Sequence, residues 1–236
     1  MVLTGEETGR ELSRLRRELA DEYDLDERFF EIGGRSFSIL SVLDSYALLD
    51  RIDPQEFLKD EQMPYWAEIW PSAITLSSWI ARELKPAGKR AIEIGSGVGL
   101  VSVVAAATGA SMLVTDYSTE ALRFVLYNAM MNGVPLDSAR LDWRNVQCSE
   151  QFDCLFAADV LYERVNLLPI ANAIDKLLKP GGKAYIADPR RSMAEQFLGI
   201  VSENGFRVTS ISTKYEGGSK PVPVNIHMLE RKTECS

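Results

Sequence analysis

Four short stretches hold residue types whose spacing could do chemistry. "RAIEIGSGVGL" (90–100) runs an apolar strand into Gly95, Gly97 and Gly99, and then into an apolar helix. A backbone that bare lets a phosphate, a nucleoside or another piece of chain come close. Nineteen positions after Gly97, Asp116 ends the next apolar run in "LVTDYS". A carboxylate at such a strand end can accept from both hydroxyls of a ribose. The plainer reading is a turn residue before a helix, a role Ser118 serves equally well. "RLDWR" offers Asp142 as an acceptor for the amino group of a nucleobase, and Trp143 as a flat face against its ring; a core aromatic at a strand end is the plainer reading of Trp143. "FDCLFAADVLYER" ends an apolar strand in Asp159, with Tyr162 three residues on. Helix cap and packed aromatic are the plainer readings of those two.

The elements that position these stretches follow from periodicity. Apolar residues at helical spacing (Leu12, Leu15, Leu19) predict an amphipathic helix over 5–24. Phe30, Ile32, Phe37 and Ile39 predict a hairpin over 29–40, turning at Gly33-Gly34. Pro54, Pro64 and Pro71 break up the segment after the hairpin. A helix is predicted over 72–84, stopped by Pro86. Strands at 90–95, 111–116, 138–142, 153–159 and 183–187 then alternate with helices at 99–108, 119–132, 166–178 and 192–204. That alternation predicts βαβ units and a mainly parallel sheet. Pro180-Gly181-Gly182 ends one helix and turns into the next strand. The runs 206–213 and 222–231 have no helix between them, so they should form an antiparallel hairpin at the sheet edge. The fold class is therefore α/β: a doubly wound, mainly parallel sheet with that C-terminal hairpin and an N-terminal helix-and-hairpin extension. The four chemical stretches all fall at the carboxyl ends of strands, where open α/β sheets bind ligands.

Composition narrows the chemistry. Thirty-four acidic residues against 26 basic ones give a net charge of −8, which disfavours a nucleic-acid substrate. No apolar run is long enough to span a bilayer, and the charged N-terminus does not resemble a secretory signal. Cys148, Cys154 and Cys235 lack metal-ligand spacing, and no metal site is expected; they read as buried or idle thiols in a reducing cytoplasm. His227, the one histidine, lies in a strand-like run, where a sheet position is expected rather than catalysis. The glycine loop is neither a dinucleotide fingerprint, since Leu100 stands where the third glycine is needed, nor a Walker loop, which needs Lys followed by Ser or Thr.

The loop does resemble E/D-x-G-x-G-x-G, the first motif of the seven-stranded S-adenosylmethionine (SAM) methyltransferases. The likeness extends over about residues 64–190. It takes in "PYWAEIWPSA", "AIEIGSGVGL", "TDYS", the N-x-x-x-N-G of Asn128, Asn132 and Gly133, "LDW", "AADVLY" and "LKPGG". Asp159-Val160-Leu161-Tyr162 is similar to the D-x-x-Y/F motif of a subfamily that methylates lysines of chaperones and of the electron-transfer flavoprotein β-subunit. Bacterial members of that subfamily are often labelled nicotinamide-methyltransferase-like. Residues 1–63 follow no pattern of that family; they are expected to be an extension to a methyltransferase domain over 64–236 and to cover or shape the substrate entrance.

The resemblance implies SAM as cofactor. It places Trp70, Glu93, Gly95, Ser96, Gly97, Asp116, Tyr117, Asp142, Trp143 and Ala158 around SAM, with Asp159 and Tyr162 on the acceptor side. The bare glycines would then admit the ribose and methionine portions. Asp159 is suited to hold an incoming ammonium and orient the amine lone pair, and Tyr162 to bond the amine or wall its channel. The implied activity is N-methylation, of a protein lysine first and of a small molecule second. A SAM-fold module that binds a partner without turnover is the third reading. Arg190 or Arg191, after the fifth strand of this sheet, could grip an acidic substrate surface, but solvated surface arginines are the expected reading. Acceptor identity and oligomeric state stay open.

Overall fold

The computed structural model describes residues 5–51 and 63–232. Helix α1 (Gly5–Glu22) leads into a two-stranded hairpin, β1 (Leu25–Ile32) and β2 (Arg35–Val42). Both strands run longer than the apolar pattern alone marks, from Leu25↔Val42 to Ile32↔Arg35. Next come α2 (Pro71–Trp79), β3 (Arg90–Ile94), α3 (Leu100–Ala107), β4 (Ser111–Asp116), α4 (Thr119–Met131) and β5 (Asp137–Arg140). The remaining elements are β6 (Phe152–Ala158), α5 (Leu167–Leu177), β7 (Leu178–Asp188), α6 (Ala194–Glu203), β8 (Phe206–Tyr215) and β9 (Val222–Arg231).

The large sheet has seven strands in the order β5-β4-β3-β6-β7-β9-β8. β3 pairs in parallel with both β4 and β6, and β9 pairs antiparallel with β7 and β8. The order reverses beside β3, and a crevice opens at such a switch point beyond the carboxyl ends of the strands. β3, β4 and β6 are buried almost throughout because helices cover both faces.

Three departures from the periodicity reading have physical causes. α2 does not run on as an α-helix but passes into a π-helical turn, Ile80–Leu84, closed by Lys85 in the left-handed conformation. The Pro180-Gly181-Gly182 turn sits inside β7: the register jumps from Phe152↔Leu178 to Cys154↔Lys183, leaving residues 179–182 as a bulge. The N-terminal extension shares a core with the sheet's helices. Leu15, Leu19, Ile32, Phe37 and Ile39 are buried in one cluster with Val98, Leu100, Phe124 and Tyr127. Each such side chain contributes about 1.5–3 kcal/mol of burial.

The asparagines of the N-x-x-x-N-G stretch fasten that extension. Asn128 Oδ1 accepts from Leu40 N at 2.8 Å, and its Nδ2 donates to Leu40 O and Val98 O, each at 2.9 Å. One turn later Asn132 brackets Ser38 in the same way, at 3.1 and 2.7 Å. Side-chain amides thus continue a strand-like ladder from α4 to β2. His227 lies in β9, buried, with Nδ1 2.7 Å from Ser210 Oγ. Cys148 and Cys154 are free thiols, and Cys235 and Pro54 lie outside the described residues. No helix among the described residues is long and apolar enough to cross a membrane.

Candidate active site

A cleft of about 430 Å³ opens at the switch point, and every site residue singled out from the sequence lines it. Glu93, Gly95, Ser96 and Gly97 come from the end of β3 and its loop; Asp116 and Tyr117 from the end of β4; Asp142 and Trp143 from beyond β5. Ala158, Asp159 and Tyr162 come from the end of β6, and Trp70 from the start of α2. None of residues 5–48 lines the cleft. The helix and hairpin are tied down on α4.

The glycine loop is shaped by protein as well as by space for a ligand. Gly97 has φ +53°, and a Cβ there would sit 2.9 Å from the carbonyl oxygen of Trp66. At Gly95, with φ +64°, it would meet Trp143 and Val160 at 3.0 Å. Both positions need the left-handed conformation that glycine adopts without strain. The missing side chain of Gly97 thus makes room for residue 66, while Gly97 itself lines the cleft. The Trp66 ring points into the core, 5.9 Å from Tyr23 and 5.5 Å from Phe124, centroid to centroid.

Two buried acids flank the loop. Glu93 accepts from Ser102 Oγ, and burial pushes its carboxyl up to about 8. Asp116 Oδ2 accepts from Gly97 N at 2.8 Å and Oδ1 from Ser118 N at 2.9 Å; burial pushes Asp116 up to about 6. Ser118 caps α4, its Oγ accepting from Ala121 N at 3.2 Å. Asp116 is thus not needed as the helix cap; beside the N–H groups of Gly97, Tyr117 and Ser118 its carboxylate keeps acceptor capacity for a hydroxyl. Tyr117 lies beneath two guanidiniums, with Arg140 Cζ at 4.5 Å and Arg144 Cζ at 5.1 Å from its ring centroid. Asp142 lines the cleft with its oxygens accepting from Arg144 N, Nε and Nη2 at 2.9–3.1 Å. Trp143 serves both of its readings, lining the cleft while packing on the core around Leu141 and Val146.

The β6 end differs from the expectation in one respect. Asp159 is 5% exposed and has φ +61°, a conformation uncommon outside glycine and often tied to function. Arg191 is not a free surface cation. Its Nε donates to Asp159 Oδ1 at 2.8 Å, its Nη2 donates to the same oxygen, and its Cζ lies 5.9 Å from the centroid of Trp70. Asp159 Oδ2 is buried with no hydrogen-bond partner among the described residues. Asp188 ends the neighbouring strand, fully buried; its Oδ1 accepts from Arg191 N at 2.8 Å. Burial pushes Asp188 up to about 6, and the Asp159 charge adds to this. Tyr162 packs edge-on against Tyr65 at 5.0 Å, and Tyr65 against Trp70 at 6.2 Å. Burial pushes the Tyr162 phenol upward, so it stays a protonated donor.

Sequence reasoning missed Tyr65, Asp188 and the Arg191 contact. A signal existed: Ala158 pairs with Ala187 in register, so Asp159 and Asp188 end adjacent strands, and an arginine three residues past the second can reach back to the first. The glycine loop, the buried carboxylate of Asp116, the flat faces of Trp143 and Tyr117 and a cleft of this size fit a nucleoside sulfonium such as SAM.

Comparison with known proteins agrees with this geometry. Residues 56–204 match the model of a family described as lysine methyltransferase. The chain is 35% identical over 135 residues to the protein-lysine methyltransferase METTL21E of Mus musculus, covering 49% of this chain and 52% of that protein. It is 27% identical over 125 residues to a ubiquinone biosynthesis O-methyltransferase of Xanthomonas axonopodis, covering 52% of each. The chain spans about half the length of these curated relatives. The N-methyltransferase NodS of Bradyrhizobium japonicum, solved with S-adenosylhomocysteine (SAH), shares the fold, with TM-score 0.58 and 16% identity over 80% of this chain and 99% of that one. A match over most of the domain, on a fold and a cleft of this kind, makes the chain a member of the lysine methyltransferase family.

Proposed function

We propose that this protein is a SAM-dependent N-methyltransferase acting on a lysine side chain of a protein, in the cytoplasm. The observation that carries the acceptor class is the unpaired Oδ2 of Asp159. A buried acceptor without a donor costs about 1–3 kcal/mol, and the N–H of an entering amine removes that cost. Asp116 and the loop over Gly95–Gly97 would hold the nucleoside end of SAM, and Trp70 and Trp143 its flanks. When bound, SAM supplies an electrophilic methyl group on sulfur. The chain's own work is positioning, which dominates an in-line displacement. Tyr65, Trp70 and Tyr162 wall the approach to Asp159 with aromatic faces suited to an aliphatic stem. A lysine amine has an ordinary pKa near 10.4 and must shed a proton before its lone pair can attack. Asp159 then accepts from the remaining N–H groups and aligns the lone pair.

The likeness to ubiquinone O-methyltransferases favours a second reading, a small-molecule acceptor. Phenol methylation calls for a general base, and the chain's one histidine is in β9, outside the cleft lining. Labelled-methyl transfer into a lysate split by size tests both readings. Label is expected in a discrete protein band and, after hydrolysis, in methyl-lysine. Label confined to low-molecular-weight products overturns the lysine reading.

A further inference from the structure

We infer that Arg191 is a positioning residue that makes the site select the neutral amine over the ammonium; this rests on the reading of Asp159 as the acceptor-binding group. A lone buried carboxylate would hold a cationic amine as an ion pair, and an ammonium has no lone pair with which to attack. The structure removes that trap. Arg191 donates twice to Oδ1 of Asp159, offsetting its charge, and leaves Oδ2 of that carboxylate without a partner among the described residues. Arg191 is itself held at its backbone and at its head. Its backbone N–H donates to Asp188 Oδ1, its guanidinium meets Asp159, and its Cζ lies 5.9 Å from the Trp70 ring centroid. The backbone that carries the carboxylate is also fixed, since Asp159 N donates to Ala187 O at 2.9 Å. The charged and titratable groups beside the pair are Asp188 on β7 and Tyr162 after β6; Asp188 accepts from the Arg191 backbone N–H through Oδ1, and its Oδ2, like that of Asp159, is buried without a partner among the described residues. A forked guanidinium fits this task better than an ammonium head, because it can present two donors to one oxygen.

The consequence has a sign that a scaffold role does not share. In Arg191→Gln the carboxylate regains its full charge, so a cationic amine binds tighter while turnover falls. A residue that only supports the fold would weaken binding when removed. The test titrates butylammonium at neutral pH into protein saturated with SAH, by calorimetry. Relative to wild type, Arg191→Gln is expected to bind this probe about tenfold tighter, the step that about 1.4 kcal/mol provides. Arg191→Lys should fall between the two, since it keeps the charge and loses the fork. Asp159→Asn/Arg191→Gln should lose the gain. With substrate, Arg191→Gln lowers KM and kcat together, the pattern of a ground-state trap. Unchanged or weaker probe binding in a folded Arg191→Gln overturns the inference. If that variant does not fold, Arg191→Lys decides alone: a gain of about two- to fivefold supports the role, and none refutes it. The probe titration needs no turnover, so its failure is distinguishable from failure of the lysine reading, which shows as an unlabelled protein fraction with wild-type enzyme.

Discussion

Asn128 on α4 satisfies both backbone polar groups of Leu40 on β2, and it does so from a fully buried side chain. The stretch that resembles a methyltransferase signature is therefore the clamp that joins the N-terminal hairpin to the catalytic sheet. Replacing Asn128 by Ala strands the Leu40 N–H, the Leu40 carbonyl and the Val98 carbonyl together. The expected loss is about 2–4 kcal/mol of unfolding free energy, read as a lower urea midpoint. A loss below about 0.5 kcal/mol, the range of ordinary surface changes, would mean that the clamp contributes nothing.

Gly97 couples the loop to the Trp66 segment. Gly97→Ala introduces a Cβ 2.9 Å from the Trp66 carbonyl at φ +53°. Stability should fall by more than about 1 kcal/mol, and SAH affinity should fall with it because Met63–Trp70 must shift at the cleft rim. Calorimetry and denaturation on the same preparation check this. An affinity loss with the stability unchanged would return Gly97 to the role of a ligand-clearance residue.

Glu93 gives stability a pH signature. Burial raises its folded pKa to about 8, from an ordinary 4.5. Between those values the native state holds a proton that the unfolded chain has released, so stability falls as pH rises through this window. Glu93→Gln stays neutral throughout. Its stability relative to wild type should rise from pH 5 to pH 8 and then level off, with a limiting slope of about 1.4 kcal/mol per pH unit. A flat difference across that range would show that Glu93 is not protonated in the folded protein.

Asp159→Asn keeps the size and removes the charge. On the proposed acceptor-side role, turnover should drop by more than about 10²-fold while SAH affinity moves less than about threefold. The comparison is single-turnover methyl transfer against calorimetric SAH binding. Parallel losses in both would assign Asp159 to the cofactor side.

Much of this molecule was legible in one dimension. Apolar runs with period two or none marked β3, β4 and β6, and helical spacing marked α1 and α4, because burial on one face or two imposes those periods whatever the neighbours are. Each strand's end could then be read for chemistry, and Gly95, Asp116, Trp143 and Asp159 all reached one cleft because parallel strands place their carboxyl ends on a single edge. What tertiary structure alone decided is who answers whom across long sequence separation. Trp66 meets Gly97, Asn128 meets Leu40, and Arg191 meets Asp159 through pairings that periodicity does not encode. Arg191 shows why. Read by type and position in sequence, an arginine after a strand is a solvated cation. It becomes an internal counter-charge only because β6 and β7 lie side by side and bring a buried carboxylate within its reach.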